Sequence, residues 1–256
     1  MMKPVLLDLF CGAGGATRGY QEAGFHVIGM DIQPQPHYCG DQFVQGDAID
    51  YLDWAADLAL FRRLEKVTWP PEAPAAAIQV LKESRFWQPT LDPANIAVIH
   101  ASPPCHDHSA LKAVSGADWT GWMLSVCQKL LPEIGPHWVI ENVPGARMPG
   151  AVTVCGAAVG CHTDTENGRV WLKRHRQFQS DVLLLVPPCA HQGRRTIGCY
   201  GNGDGGGRGG KGRFKDRKQA MGIGWMNRKE LGQAIPPAYT EMIGAQLIAC
   251  LNQEGE

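Results

Sequence analysis

No apolar run in the 256 residues approaches the ~20 that a membrane span needs. The opening Met1-Met2-Lys3-Pro4 lacks the apolar core and small-residue cleavage site of a secretory signal, so a cytoplasmic protein is expected. Paired cysteine spacings are missing as well. The nine cysteines are scattered and odd in number, which argues against a disulfide framework. Cys155, Cys161, His162, Cys189, His191 and Cys199 cluster in sequence but lack the C-x₂₋₄-C spacing of structural zinc sites, so free thiols and no metal are expected. There is no internal repeat. Global disorder is excluded by a hydrophobic fraction of 44%, enough for a sizeable core. The length suits one large domain with a small appendage.

Net charge is nearly absent, at −1, but the two signs are segregated. Residues 1–168 hold 10 Lys and Arg against 18 Asp and Glu, whereas residues 169–230 hold 14 against 4. A basic segment on an acidic body fits a bound polyanion, and it equally fits a solvated charged face.

The order of elements is more telling. Val5 to Phe10 (VLLDLF) reads as a short buried strand that breaks at Cys11-Gly12-Ala13-Gly14-Gly15. A helix from about Ala16 to Ala23 follows, stopped by Gly24. Phe25 to Met30 reads as a second strand ending on Asp31, and Asp47 lies beyond a third around Val44. This is the opening of a doubly wound, Rossmann-like α/β sheet. IAVIH at 96–100 and WVI at 138–140 add buried strands. Trp122, Val126 and Leu130 mark one helix face between them, and Tyr239, Ile243, Leu247 and Leu251 mark another behind Pro237. Residues 54–93, partly helical and rich in proline, read as a surface elaboration. Residues 201–212 contain eight glycines, too many to pack a core.

Ligands of such sheets sit beyond the carboxyl ends of the strands. Gly12, Gly14 and Gly15 allow backbone to approach a ligand there. The turn lacks the Lys-Ser/Thr ending of a phosphate-cradling loop, which disfavours ATP. Asp31 is placed to accept from ribose hydroxyls and Asp47 from an adenine amino group. The cofactor therefore carries a nucleoside, with a nicotinamide dinucleotide and a sulfonium donor both open. Ser102-Pro103-Pro104-Cys105 follows IAVIH on the ligand side, and two prolines stiffen the approach to Cys105. Glu141-Asn142-Val143 ends WVI at the same sheet edge, where a buried carboxylate needs a task or a partner. Arg174 and Arg176, two apart, point to one side of an extended segment.

DLFCGAGG at 8–15, SPPC at 102–105, ENV at 141–143 and RHRQF at 174–178 together resemble the ordered motifs of DNA cytosine-5 methyltransferases. The resemblance spans nearly the whole chain, and the Gly222–Ile243 stretch is similar more loosely to that family's closing motifs. It implies a class I methyltransferase fold with S-adenosyl-L-methionine (SAM) as cofactor, held by Phe10, Gly12, Gly14, Gly15, Asp31, Asp47 and Pro104. It implies Cys105 as nucleophile on carbon 6 of a flipped-out cytosine, Glu141 at the ring's N3 edge, and Arg174 and Arg176 about the ring, its phosphate or the thiol. Double-stranded DNA is the implied partner, in a prokaryotic or phage-infected cell and within a restriction–modification setting. A monomer is expected. A catalytic domain (1–186), a small glycine-rich target-recognition region (187–215) and a closing segment (216–256) follow from the motif positions.

Two departures stand out. His106 replaces the family's usual glutamine after the cysteine, and Gly232-Gln233 replaces its glycine-asparagine pair. Three alternatives remain open: a transfer-RNA cytosine-5 methyltransferase, a catalytically inactive SAM- or DNA-binding homologue, and a nicotinamide-dependent enzyme.

Overall fold

A computed structural model describes residues 3–66, 72–104, 121–200 and 212–254. Within these, the chain runs β1 (Val5–Leu9), α1 (Gly15–Ala23), β2 (His26–Asp31), β3 (Gln42–Gln45), α2 (Ala48–Glu65), α3 (Glu72–Leu81) and β4 (Val98–Ala101). It continues through α4 (Trp122–Ile134), β5 (His137–Asn142), β6 (Val152–Cys155), β7 (His162–Thr165), β8 (Gly168–Leu172), β9 (His175–Ser180) and β10 (Thr196–Ile197). Three helices close it: α5 (Phe214–Met221), α6 (Arg228–Gln233) and α7 (Pro237–Glu254).

Seven strands form one sheet in the order β3-β2-β1-β4-β5-β9-β6. The first five are parallel, and β9 returns antiparallel between β5 and β6. Parallel strands covered on both faces are predominantly apolar, and Leu6, Leu7 and Leu9 of β1 are all fully buried, with Asp8 the polar exception. The strand order reverses beside β1, whose neighbours are β2 and β4. That reversal opens a crevice at the carboxyl ends of β1 and β4. A second, three-stranded sheet, β10-β8-β7, is built from the β7–β8 hairpin and β10.

Two apolar layers flank the large sheet. One gathers α1 and α7 with Tyr20, Phe25, Tyr239, Ile243 and Leu247. The helices approach closely because α1 presents glycine: a Cβ on Gly19 would lie 2.0 Å from the Pro237 carbonyl oxygen. Thr240 donates to the Ala16 carbonyl at 2.8 Å across the same contact.

The other layer corrects the reading of residues 54–93 as a surface elaboration. Trp54, Ala55 and Leu58 of α2, with Ile78, Phe86 and Leu91, are buried in it. Trp54 Nε1 donates to the Leu81 carbonyl at 3.1 Å, and Arg62 clamps Asp92 through two bonds of 2.6 and 2.7 Å. The segment covers the β2–β4 face, because β3 must cross over through a helix before β4 can pair parallel to β1.

The face of α4 also differs from expectation. Leu124, Cys127, Leu131 and Ile134 are buried, whereas Trp122 is 44% exposed. Both stripes have helical spacing, so periodicity alone does not choose between them. The glycine-rich stretch 201–211 and the loop 105–120 lie outside the described residues.

Candidate functional site

The first turn is shaped by backbone. Among the described residues, Phe10 is the only non-glycine with positive φ, at 59°, a conformation that costs ~1 kcal/mol or more and marks a site held by its surroundings. Gly12 follows at φ 50° with open space where a side chain would stand. Its N–H donates to Asp31 Oδ2 at 3.0 Å, and Asp31 Oδ1 accepts from the Gln33 N–H at 2.9 Å. Asp31 thus ties the glycine turn to the end of β2. Gly15 has a different reason to lack a side chain, since a Cβ there would lie 2.5 Å from the Ile235 carbonyl oxygen. Its smallness serves the packing of the closing segment. Trp225 from that segment donates to the Ala13 carbonyl at 2.9 Å.

Asp47 stands at the N-terminus of α2, where Oδ1 caps the helix by accepting from the Ile49 N–H at 2.8 Å. It lines an open cavity of ≈ 450 Å³ with Ile32, Gln45, Gly46, Asp50 and Arg85. Ile32, 57% exposed, was not singled out in the sequence, yet it lies directly after Asp31 on the wall of this cavity. An apolar side chain sharing a cavity with the Asp47 and Asp50 carboxylates suits a flat, polar-edged ring such as adenine.

The second half of the site is a buried polar chain. Glu141, next to last in β5, is buried and lies 2.7 Å (Oε1) from Arg176 Nε of β9. That contact is an ion pair without hydrogen-bond alignment, so Oε1 keeps no aligned donor. Ser102, just past β4, hydrogen-bonds the same carboxyl group. His100 Nε2 lies 2.7 Å from Ser102 Oγ, and His100 Nδ1 lies 2.9 Å from the hydroxyl of Tyr20 on α1. Burial holds His100 down to about 3, so the ring is neutral. A neutral ring with its proton on Nε2 satisfies every partner: Tyr20 donates to Nδ1, Nε2 donates to Ser102, and Ser102 donates to Glu141. A histidine in the middle of an apolar strand was the available signal for this chain.

Burial also raises the Glu141 carboxyl above its ordinary range, opposed by the charges of Arg176 and Arg174. Asn142 locks the two motif loops together, its Nδ2 donating to the Pro103 carbonyl at 3.1 Å. Pro104 is the last described residue before the loop; Cys105 lies outside the described residues.

The two arginines have different surroundings. Arg176 faces Glu141 and donates to the His175 carbonyl at 3.0 Å. Arg174 is buried and donates to the carbonyls of Cys199 and Gly232, the latter at 3.1 Å. It joins β9 to the closing segment, and burial lowers its guanidinium only to about 10, so it stays charged. Arginines of the expected recognition region are held locally: Arg194 stacks on Trp171 at 4.3 Å, Arg195 donates to the Asn167 carbonyl, and Arg213 pairs with Asp216 and Glu166 at 3.2 and 3.3 Å.

Asp8, one residue from the turn in β1, is fully buried, and burial raises it from 3.8 to about 7. Thr17 donates to its Oδ2 at 2.5 Å while Oδ1 has no partner. An acid raised in the folded state costs nothing below its unfolded pKa. The penalty grows as pH climbs from about 4 and saturates above about 7. Asp8→Asn is therefore expected to gain melting temperature over wild type as pH rises through this window, by an amount worth ~1–4 kcal/mol at pH 8. Thermal melts of both proteins at pH 5 and pH 8 check this; a gap that does not widen refutes it.

The search against family models matches none. A 38-residue stretch is 45% identical to the type II methyltransferase M1.HphI of Haemophilus parahaemolyticus, covering 15% of this chain and 10% of that protein. A putative DNA modification methyltransferase encoded within an Escherichia coli prophage superposes with a TM-score of 0.56 at 13% identity, over 98% of this chain and 100% of its own. The S. pombe Dnmt2 methyltransferase gives 0.53 at 11%, over 98% and 100%. The Entamoeba histolytica methyltransferase EhMeth gives 0.52 at 10%, over 98% and 99%. The chain has the fold of these methyltransferases. No helix is long and apolar enough to cross a membrane among the described residues.

Proposed function

We propose that this chain, which has a methyltransferase fold, is a SAM-dependent DNA cytosine-5 methyltransferase with Cys105 as its nucleophile. One observation carries the reading. Glu141, a buried carboxyl group raised in pKa and paired with Arg176, is hydrogen-bonded by Ser102 of the very segment that leads to Cys105. Asn142 fastens that segment beside it.

The residues fit the cofactor. Gly12 leaves open space at the turn, Asp31 ends β2 beside it, and Ile32 and Asp47 wall the neighbouring cavity. SAM, when bound, supplies an electrophilic methyl group on a sulfonium. Asp31 would hold its ribose, Asp47 and Ile32 its adenine, with Phe10, Gly14, Gly15 and Pro104 completing the turn and the far wall.

The chemistry left to the chain is activation of the pyrimidine. The Cys105 thiolate adds to carbon 6, and electron density moves onto N3 and carbon 5. Glu141, whose carboxyl group burial raises above its ordinary range, donates toward N3 and offsets the growing charge. Arg176 opposes full protonation and fixes the direction of the carboxyl group. Carbon 5 would then take the methyl group, leaving the donor as a neutral thioether; the carbon 5 proton passes to solvent water, and elimination of the Cys105 thiolate restores the ring. The target base must leave its stack to reach this depth, at a cost of a few kcal/mol. Residues about 187–215 would read the flanking sequence, and DNA is the partner that the basic segment 169–230 suits.

Transfer of a radiolabelled methyl group from SAM to duplex DNA, with bulk RNA in parallel, tests the reading. Label in DNA at carbon 5 of cytosine supports it; label confined to RNA, or none, overturns it.

Asp31→Ala is expected to weaken SAM binding at least ~10-fold, because it removes the ribose acceptor and frees the Gly12 turn together. The modified base stays the same. Calorimetric titration reads the affinity, and an unchanged value removes the ribose assignment.

A further inference from the structure

The large sheet carries a second cluster on the far side of the arginine strand. Cys155 ends β6 and His175 begins β9, and the two are direct cross-strand partners in the antiparallel pair. Cys189 and His191, from the coil after β9, complete the group. One ligand atom from each of the four lies within 4.8 Å of every other. Cys155 Sγ is 3.5 Å from His191 Nδ1, and His175 Nε2 is 3.4 Å from Cys189 Sγ. The two imidazole rings meet edge to face at 5.0 Å.

These separations are those of a coordination tetrahedron. With Zn–S near 2.3 Å and Zn–N near 2.0–2.1 Å, a tetrahedral N···S edge is about 3.5 Å. The third pair, Cys189 Sγ to His191 Nδ1, stands at 2.8 Å and must open to reach that edge. Cys189 is exposed, so its side chain is free to turn. Two thiolates and two imidazoles in tetrahedral array select zinc over oxygen-seeking cations. We infer that Cys155, His175, Cys189 and His191 bind one structural Zn²⁺ ion.

The neighbouring candidates do not join. His162 Nδ1 is engaged with the Gly160 carbonyl at 2.7 Å, and Cys161 is not among the four residues whose ligand atoms converge. Charge supports the assignment. Two thiolates neutralise a divalent ion, so the buried Cys155 position carries no net charge once the metal is in place.

The site's place in the fold gives it a purpose. Side chains alternate along β9, so His175 points to the metal while Arg174 and Arg176 point to the opposite face, toward Cys199 and Glu141. The ion fastens the coil at 187–193 to the strand end that presents Arg176. This clamp stands whether or not the proposed methyl transfer is correct, since it rests on four ligands that the reaction does not use.

The full chain, expressed with zinc in the medium and dialysed against metal-free buffer, is the material for the test. Elemental analysis is expected to find about one zinc per chain. Cobalt added after chelation should restore stoichiometric binding with the visible absorption of a tetrahedral thiolate complex. The pair Cys189→Ala and His191→Ala is expected to lose the metal, whereas Cys250→Ala keeps it. Chelation should lower the melting temperature by several degrees, and added zinc should restore it. Chelation and remetallation of the wild-type chain decide the matter if the double variant does not fold. Less than about a tenth of an equivalent in zinc-supplied protein kept reduced, or full zinc in the double variant, overturns the assignment.

Discussion

Cys105→Ser is expected to abolish methyl transfer, by ~10⁴-fold or more, and to leave SAM bound with near wild-type affinity. The asymmetry is chemical. Serine is close in shape, but its hydroxyl stays protonated at neutral pH, and cytosine carbon 6 demands a strong nucleophile. The cofactor half of the site is built from other segments, Gly12, Asp31 and the cavity beside Asp47, none of which depends on the thiol. Single-turnover transfer and calorimetry on the same preparation measure the two halves separately. Turnover at the wild-type rate would remove the covalent mechanism.

Glu141→Gln is the second large effect, with a loss in kcat of ~10²–10⁴. Glutamine keeps the size and the Ser102 contact but has no carboxyl proton to share with N3. The pH profile carries the sharper signature. The working form of Glu141 is protonated, and burial raises its pKa above 4.5, so the rate must fall as pH rises through the folded value. That falling limb belongs to Glu141 and should vanish in the glutamine variant. His100→Gln disturbs the chain from Tyr20 to Ser102 without touching the carboxyl group, so it should move the limb rather than erase it. Identical profiles for wild type and Glu141→Gln would reassign the proton donor.

The parallel half of the fold could be read from the sequence because its signals are local. Val5–Leu9 is apolar except for Asp8, the glycine turn breaks it sharply, and Gly24 ends α1 in the left-handed conformation expected there. The motif order then placed Glu141 near the segment that ends in Pro104. What joins them was not readable: the bond from Asn142 to the Pro103 carbonyl spans 39 residues, and no periodicity encodes it. The inward role of Trp54 and Phe86 was missed for a related reason. Prolines suggested a surface elaboration, yet Trp54 of α2 and Phe86 beyond α3 are buried together against the large sheet. Cys155, Cys189 and His191 stood out in the sequence but His175 did not join them there, because three separate stretches of chain, not one spaced motif, supply the four. Linear spacing rules detect sites built within one turn and overlook those assembled by a sheet edge.

The docking of α7 onto α1 has a consequence for synthesis. Tyr239, Ile243 and Leu247 fill the layer over β1, and the smallness of Gly19 accommodates this one partner. During translation, the first helix leaves the ribosome more than two hundred residues before the helix that covers it. Until then its apolar side stays wet, and the nascent polypeptide is a client for chaperones. Folding of this layer is thus deferred until residues 237–254 emerge.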